Sequence, residues 1–397
     1  MKIVWIMNES PLPANSGGRI GMFKRLEQIA KKDDVYLFYT YDDDREAMQQ
    51  EVLLGYCKEV YAYKRKKRGI GLMLRCLRRP FTVETRNVKQ MQLDLASLIE
   101  RCSPDIINVD FPHMCIDLLP LIKRYNIPIV LNEHNIEWQF YEQLAASGLK
   151  FPKNLIYSYD SKRLKHYEEG LHKKIHFSGI TFVSDRDMQC YKEWLGSDIK
   201  MAHIPVGADA RALTPMPNNG EQKRIIFVGI MSDGPNSEGA EWFAKQVMPT
   251  ILSAYPKAKF YIVGKNPGER VKSLVNNNVI VTGMVDSIDE YYKNADLVVI
   301  PLFHGGGVKV KLLEAMSFAR PIVSTTSGVQ GTAFEANKHL FVADDPNIFA
   351  EHCIEVLAGG DQIERMTHAA YGFFSENYTW EKIGEKYRQF LASVINK

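Results

Sequence analysis

Short apolar runs rich in β-branched residues alternate along this chain with stretches whose apolar positions recur at helical spacing. The short runs predict strands at Ile3–Met7, Val35–Thr40, Val60–Tyr63, Ile106–Val109, Ile127–Asn132, Ile180–Val183 and Met201–Ile204. A second series follows at Arg224–Val228, Phe260–Val263, Val279–Val281, Leu297–Ile300, Pro321–Ser324 and Leu340–Val342. Between them lie amphipathic segments such as Met22–Ala30, with Phe23, Leu26 and Ile29 on one side. Alternating strands and helices predict an α/β fold with parallel sheets covered on both faces.

The pattern restarts near the middle. A strand ends at Pro205, and the polar, Pro-rich stretch Leu213 to Gly220 reads as a linker before the strand at Arg224. The boundary is placed near residues 206–222. Two doubly wound domains are expected, each binding ligands beyond the carboxyl ends of its strands.

The composition fits such domains. Of 397 residues, 45% are hydrophobic and 24% charged, which suits a globular protein with two cores. A net charge of +3 is too mild to imply nucleic acid. The 6 cysteines are scattered with no C-x-x-C pair, so neither a zinc site nor a disulfide framework is suggested, and a reducing cytoplasm fits best. The apolar start at Ile3–Met7 is too short for a signal peptide, and no run approaches the roughly 20 apolar residues of a membrane span.

One segment stands apart. Lys64 to Arg79 carries eight basic residues and no acid, interleaved with Ile70, Leu72, Met73, Leu74 and Leu77. It reads as a solvated surface or as a patch for an anionic membrane surface, with nucleic acid the weakest reading because no recognition module accompanies it.

The densest chemical signal runs from Pro301 to Met316. A strand ends at Ile300, Gly305, Gly306 and Gly307 form a turn, and a helix opens near Val308, Lys309 and Lys311. Glycines let backbone approach a ligand closely, and a helix N-terminus presents free N–H groups to an anion. A diphosphate is the natural guest, and Glu314 further along the helix can accept from ribose hydroxyls.

This segment resembles the donor block of the retaining GT-B glycosyltransferases, the group 1 or family-4-like class. The resemblance rests on the Gly-rich turn, the basic residues, Leu313-Glu314-Ala315-Met316, the Pro321-led strand and the Gly328 to Gly331 turn. It extends to Phe227-Val228-Gly229, Gly264, Gly283 and Asn294-Ala295-Asp296. It implies a GT-B fold: two Rossmann-like domains facing across a cleft, the acceptor side at 1–205 and the nucleotide-sugar side at 206–377. The aromatic-rich helix at 378–397 is then expected to pack back on the first domain. Two family features are missing. Gly306 stands where relatives often have a first glutamate, and no basic residue follows Gly229 closely, so Lys309 and Lys311 are expected to neutralise the diphosphate.

Gly17 and Gly18, after the first strand, resemble the family's Gly-Gly loop. His134, in Asn132-Glu133-His134-Asn135-Ile136-Glu137, resembles the family's donor-sugar histidine, with Glu137 expected to orient it or touch the acceptor. Ser184 reads first as a helix cap. Asp42-Asp43-Asp44 reads as a solvated turn, and no metal is assigned. The expected catalytic residues are His134, Glu137 and Lys309. The expected nucleotide-sugar contacts are Gly17, Gly18, Gly229, Gly306, Gly307, Val308, Lys309, Lys311 and Glu314.

The expected activity is metal-independent sugar transfer to a glycan or lipid-linked acceptor in cell-surface polysaccharide synthesis, with no cofactor beyond the nucleotide-sugar donor. The enzyme is expected in the cytoplasm or peripheral on the inner membrane face. A nucleotide-sugar epimerase of the same fold, or a nucleotide-sugar-binding protein without turnover, are the alternatives. A nicotinamide dehydrogenase is disfavoured, because no G-x-G-x-x-G follows the first strand.

Overall fold

The computed structural model describes residues 1–14, 16–66, 79–146, 153–196, 199–213, 215–217, 219–232, 234–304 and 308–395. The backbone divides into two units, Met1–Pro205 with Ile383–Lys397, and Val206–Lys382.

In the first unit the strands are β1 Lys2–Met7, β2 Asp34–Tyr41, β3 Glu59–Lys64, β4 Ile106–Asp110, β5 Ile129–Glu133, β6 Gly179–Phe182 and β7 Met201–His203. They form one parallel sheet in the order β3-β2-β1-β4-β5-β6-β7. β1, β4 and β5 are buried on both faces beyond their first residue, as a parallel sheet between helical layers requires. Val4, Ile6, Phe38, Val109 and Leu131 meet Met91, Leu95 and Leu98 of the helix Lys89–Cys102. Ser184 caps the helix Asp185–Leu195 by accepting from the Asp187 amide at 3.3 Å.

In the second unit the strands are β8 Arg224–Val228, β9 Lys259–Val263, β10 Val279–Gly283, β11 Leu297–Ile300, β12 Ile322–Ser324 and β13 Phe341–Val342. Their order is β10-β9-β8-β11-β12-β13, again all parallel. Phe227, Ile262, Val298 and Ile300 pack with Leu312 and Leu313.

Strand order reverses between β1 and β4 in the first sheet and between β8 and β11 in the second. At such switch points neighbouring crossovers leave on opposite faces and open a crevice beyond the strand ends. The segments that follow β1, β4, β8 and β11 carry the groups considered next.

Candidate active site

In the second unit, the helix Val310–Ser317 opens directly after the segment that follows β11, with Lys309 as its N-cap residue. The Leu312 amide closes on the Lys309 carbonyl at 2.9 Å, and the helix start ahead of it favours an anion. Lys309 is 9% exposed, and burial lowers its pKa. Val308 packs on the core of this unit. Gly306 and Gly307 lie outside the described residues.

Lys311 lies one position into the helix and turns towards β8. Its Nζ donates to Asn236 Oδ1 at 2.6 Å and stands 4.5 Å from the centre of the Phe227 ring. A Cβ on Gly229 would meet that Nζ and Asn236 Nδ2, each at 2.9 Å, so glycine makes room for the amine. Gly264, at φ +145°, backs the same edge, and a Cβ there would stand 1.7 Å from the Gly229 carbonyl oxygen. Burial, reinforced by Lys309 and opposed by Glu314, brings the Lys311 ammonium down to about 7.

Glu314 Oε2 accepts from the Tyr292 hydroxyl at 3.2 Å, and burial raises its carboxyl although Tyr292, Arg211 and Lys311 oppose this. Arg211 lies 4.0 Å above the Phe318 ring and donates to Ser317 Oγ at 2.9 Å. Beyond β12, Asp344 accepts from the amide and hydroxyl of Thr326, at 2.9 and 2.7 Å. A groove of about 730 Å³ there is lined by Phe303, Thr326, Gln330, Phe334 and Asp344 among others.

In the first unit, Gly17 and Gly18 begin the helix Gly17–Ala30, which Ser16 caps through the Arg19 amide. A Cβ on either glycine would meet nothing within 4 Å, so packing does not demand glycine there. Arg19 is held by Glu9 at 2.6 Å and Glu46 at 2.5 Å.

His134 sits just past β5. Its ring stacks on Phe111 at 4.4 Å and 12°. Its Nε2 is 3.1 Å from Arg25 Nη2 and 3.7 Å from Asp110 Oδ2. A guanidinium only donates, so the closer contact makes Nε2 an acceptor and places the ring proton on Nδ1. Burial lowers the His134 pKa, with Asp110 opposing and Arg25 assisting, so the ring is neutral near pH 7. Phe111 has φ 70°, a strained conformation for a bulky residue, and it also stacks on His113 at 5.3 Å.

Glu137, expected to orient His134 or to touch the acceptor, stands beside His113. Its Oε2 lies 3.8 Å from His113 Nδ1, and burial raises its carboxyl to about 7 against the pull of Arg86. Arg25 and Asp110 are the groups placed to orient His134, and both have sequence signals. Arg25 falls three residues after Met22 and four before Ile29, on the buried helix face. Asp110 follows Asn108 at strand period in an otherwise apolar β4. Asn236 carried no comparable signal, because its role depends on a lysine 75 positions away.

The aspartate run and the basic run pair with each other. Asp42 accepts from Arg65 at 2.6 Å, Asp44 from Lys64 at 2.5 Å, and Asp43 from the Arg45 beside it. Lys66 and Arg79 both reach buried Glu84, at 3.3 and 3.4 Å. Residues 67–78 of the basic run lie outside the described residues. No helix among the described residues is long and apolar enough to cross a membrane.

Residues 222–359 match the family described as Glycosyl transferases group 1. An uncharacterised 44.6 kDa protein in the cps region of Klebsiella pneumoniae is 26% identical over 96% of this chain and 97% of its own length. A GDP-mannose-dependent monoacylated alpha-(1-6)-phosphatidylinositol monomannoside mannosyltransferase of Corynebacterium glutamicum is 27% identical over 54% of this chain and 62% of its own. The crystal structure of Anabaena HepE in complex with UDP superposes with a TM-score of 0.64 at 13% identity, over 99% of this chain and all of that one. With the two parallel sheets and the glycine-lysine edge of the second, these likenesses give the chain the GT-B fold and its residues 222–359 the domain of the group 1 glycosyltransferases.

Proposed function

We propose that this glycosyltransferase retains the sugar's anomeric configuration as it transfers it from a nucleotide-diphosphate sugar to a glycan or lipid-linked acceptor in cell-surface polysaccharide or glycolipid synthesis. The observation that carries the reading is the Lys311 amine, held by Asn236 over Phe227 beside Gly229 at the β8 switch point. An amine lowered by burial gains most from an arriving diphosphate, whose charge replaces the water it lost. Lys309 and the start of the same helix join it in stabilising the leaving group.

Val206–Lys382 is the donor unit in this reading, and Met1–Pro205 supplies the acceptor side. The C. glutamicum relative uses a GDP-sugar and HepE binds UDP, which supports a nucleoside diphosphate without choosing the base. His134, neutral and fixed by Arg25 and Phe111, offers its Nδ1 proton to a sugar hydroxyl. Gly17 and Gly18, open to close approach, border the reacting groups. Glu137 supports this edge through His113.

The reaction is metal-independent in this reading, with lysines and helix N–H groups balancing the diphosphate. The test incubates a panel of nucleotide sugars and candidate acceptors with excess chelator and follows the anomeric proton by NMR. Transfer with retained configuration is expected. Inversion, or loss of transfer that magnesium or manganese restores, would overturn the corresponding part. Epimerised donor, or donor binding without turnover, would favour the two alternative activities.

Glu314→Ala tests the ribose contact. Losing a charged acceptor is expected to weaken nucleoside diphosphate binding by about 1.5–3 kcal/mol. Unchanged affinity in a folded variant would leave Glu314 as the partner of Tyr292 alone.

A further inference from the structure

Asn8 follows β1 at the switch point of the first sheet, and the segment after β4 brings His113 against it. The Asn8 side-chain oxygen faces three donors. They are Arg86 Nε at 2.5 Å, His113 Nε2 at 3.1 Å and Arg65 Nη2 at 3.3 Å. An amide oxygen has two lone pairs, so the cluster holds more donors than this acceptor can satisfy. Arg86 Nη1 donates to the Thr82 carbonyl and the Thr85 hydroxyl, at 3.0 and 3.4 Å. Its Nη2 has no hydrogen-bond partner among the described residues, and no carboxylate there pairs with it.

Two guanidiniums on one neutral amide oxygen repel each other, and burial together with Arg65 brings Arg86 down to about 10. Two carboxyl groups act on the pair without cancelling it. Asp42, which accepts from Arg65 at 2.6 Å, is 68% exposed and screened by water. Glu137 is buried, which raises its carboxyl to about 7. Arg86 itself is half-buried, and its Nη2 keeps contact with solvent. The cluster also borders the reacting groups. The His113 ring stacks on Phe111 at 5.3 Å, and Phe111 stacks on His134 at 4.4 Å. Arg86 is thereby joined to His134 through Asn8, His113 and Phe111, within the span of one acceptor molecule.

We propose that Arg86, with Arg65 and Asn8 beside it, binds an acidic group of the acceptor, so that the sugar is transferred to an anionic saccharide rather than a neutral one. A guanidinium fork matches the oxygens of a carboxylate or a phosphate. The arriving oxyanion supplies the acceptor atoms that the Asn8 oxygen cannot, and it offsets the repulsion between the two arginines. The proposal rests on the reading of Met1–Pro205 as the acceptor side and adds the chemical class of the acceptor. His134 then meets the sugar being transferred while Arg86 fixes the molecule that receives it.

The test follows the side-chain Nε–H signals of Arg65 and Arg86 by heteronuclear NMR, each assigned by its disappearance in the Arg65→Lys or Arg86→Lys variant. The full chain is titrated with methyl glucuronide, glucose-6-phosphate and methyl glucoside. At least one anionic sugar is expected to move both signals to saturation, and the one that does so tells carboxylate from phosphate. Methyl glucoside is expected to leave them in place. Arg86→Lys keeps the charge and loses the fork. Read on the Arg65 signal, it is expected to weaken binding about tenfold, with a urea series confirming that it is folded. Signals that neither anionic sugar moves, equal shifts with methyl glucoside, or undiminished affinity in folded Arg86→Lys would each overturn the proposal and leave Arg86 as a tie between Asn8 and the helix Phe81–Arg86. UDP titrated into the same protein and followed on the amides of Val310–Ser317 reports separately on the donor reading.

Discussion

Replacing Lys309 and Lys311 together by alanine is expected to lower kcat/KM by about 30- to 1000-fold, or roughly 2–4 kcal/mol, the scale of a lost preorganised charge stabiliser. The mechanism also sets a pH dependence. Burial holds the Lys311 ammonium at about 7, so below that pH the free protein already carries the cation that meets the diphosphate. Above it the amine is neutral and must take up a proton on binding. Affinity for a nucleoside diphosphate is therefore expected to fall as pH rises past about 7. Calorimetry at pH 8 in buffers of different ionisation enthalpy is expected to show proton uptake, and Lys311→Met to abolish it. Near-normal transfer by the double variant, or uptake that persists in Lys311→Met, would remove Lys311 from the donor site.

The strands were legible because a parallel strand buried on both faces must be apolar for most of its length, as Ile3–Met7 and Ile106–Val109 are. Which charges stand alone was not legible. The run Lys64–Arg79 contains no acid, yet two neighbouring parallel strands bring Asp42 and Asp44, at the end of β2, beside Lys64 and Arg65 at the end of β3. Lys309 and Lys311 were legible as charge, and their difference was not. One caps the helix; the other, two residues on, reaches Asn236 across the sheet edge. Glu137 shows the limit of proximity in sequence. It is three residues from His134, but β4 ends beside β5 and delivers Asp110 to that ring, while the helix that Glu137 begins carries its carboxylate towards His113.

Tyr387→Ala is expected to destabilise the first unit by about 3–5 kcal/mol, the cost of emptying a large buried aromatic site. Tyr387 is fully buried although it lies near the end of the chain. Its ring centre is 5.7 Å from that of Trp5 on β1, and its hydroxyl lies 2.8 Å from both Asn108 Oδ1 on β4 and Asn132 Oδ1 on β5. Arg388 beside it holds Asp33 at 2.7 Å, and a Cβ on Gly384 would stand 2.4 Å from Gln28 Cβ, so the helix has no slack in which to collapse into the cavity. Tyr387→Phe separates the ring from the hydroxyl. Asn132 Oδ1 keeps the Thr181 hydroxyl at 2.6 Å and Asn108 Oδ1 keeps Asn132 Nδ2 at 3.1 Å, so neither acceptor is stranded. The phenylalanine variant should then lose only about 1 kcal/mol, the net value of an ordinary hydrogen bond. Hydrogen exchange of β1 and β4 amides in a urea series keeps this unit's opening apart from that of Val206–Lys382. An alanine variant within about 1 kcal/mol of wild type would mean that Ile383–Lys397 is an appendage to a sheet that is complete without it, and a phenylalanine variant as weak as the alanine one would place the stabilisation in the hydroxyl rather than in the packed ring.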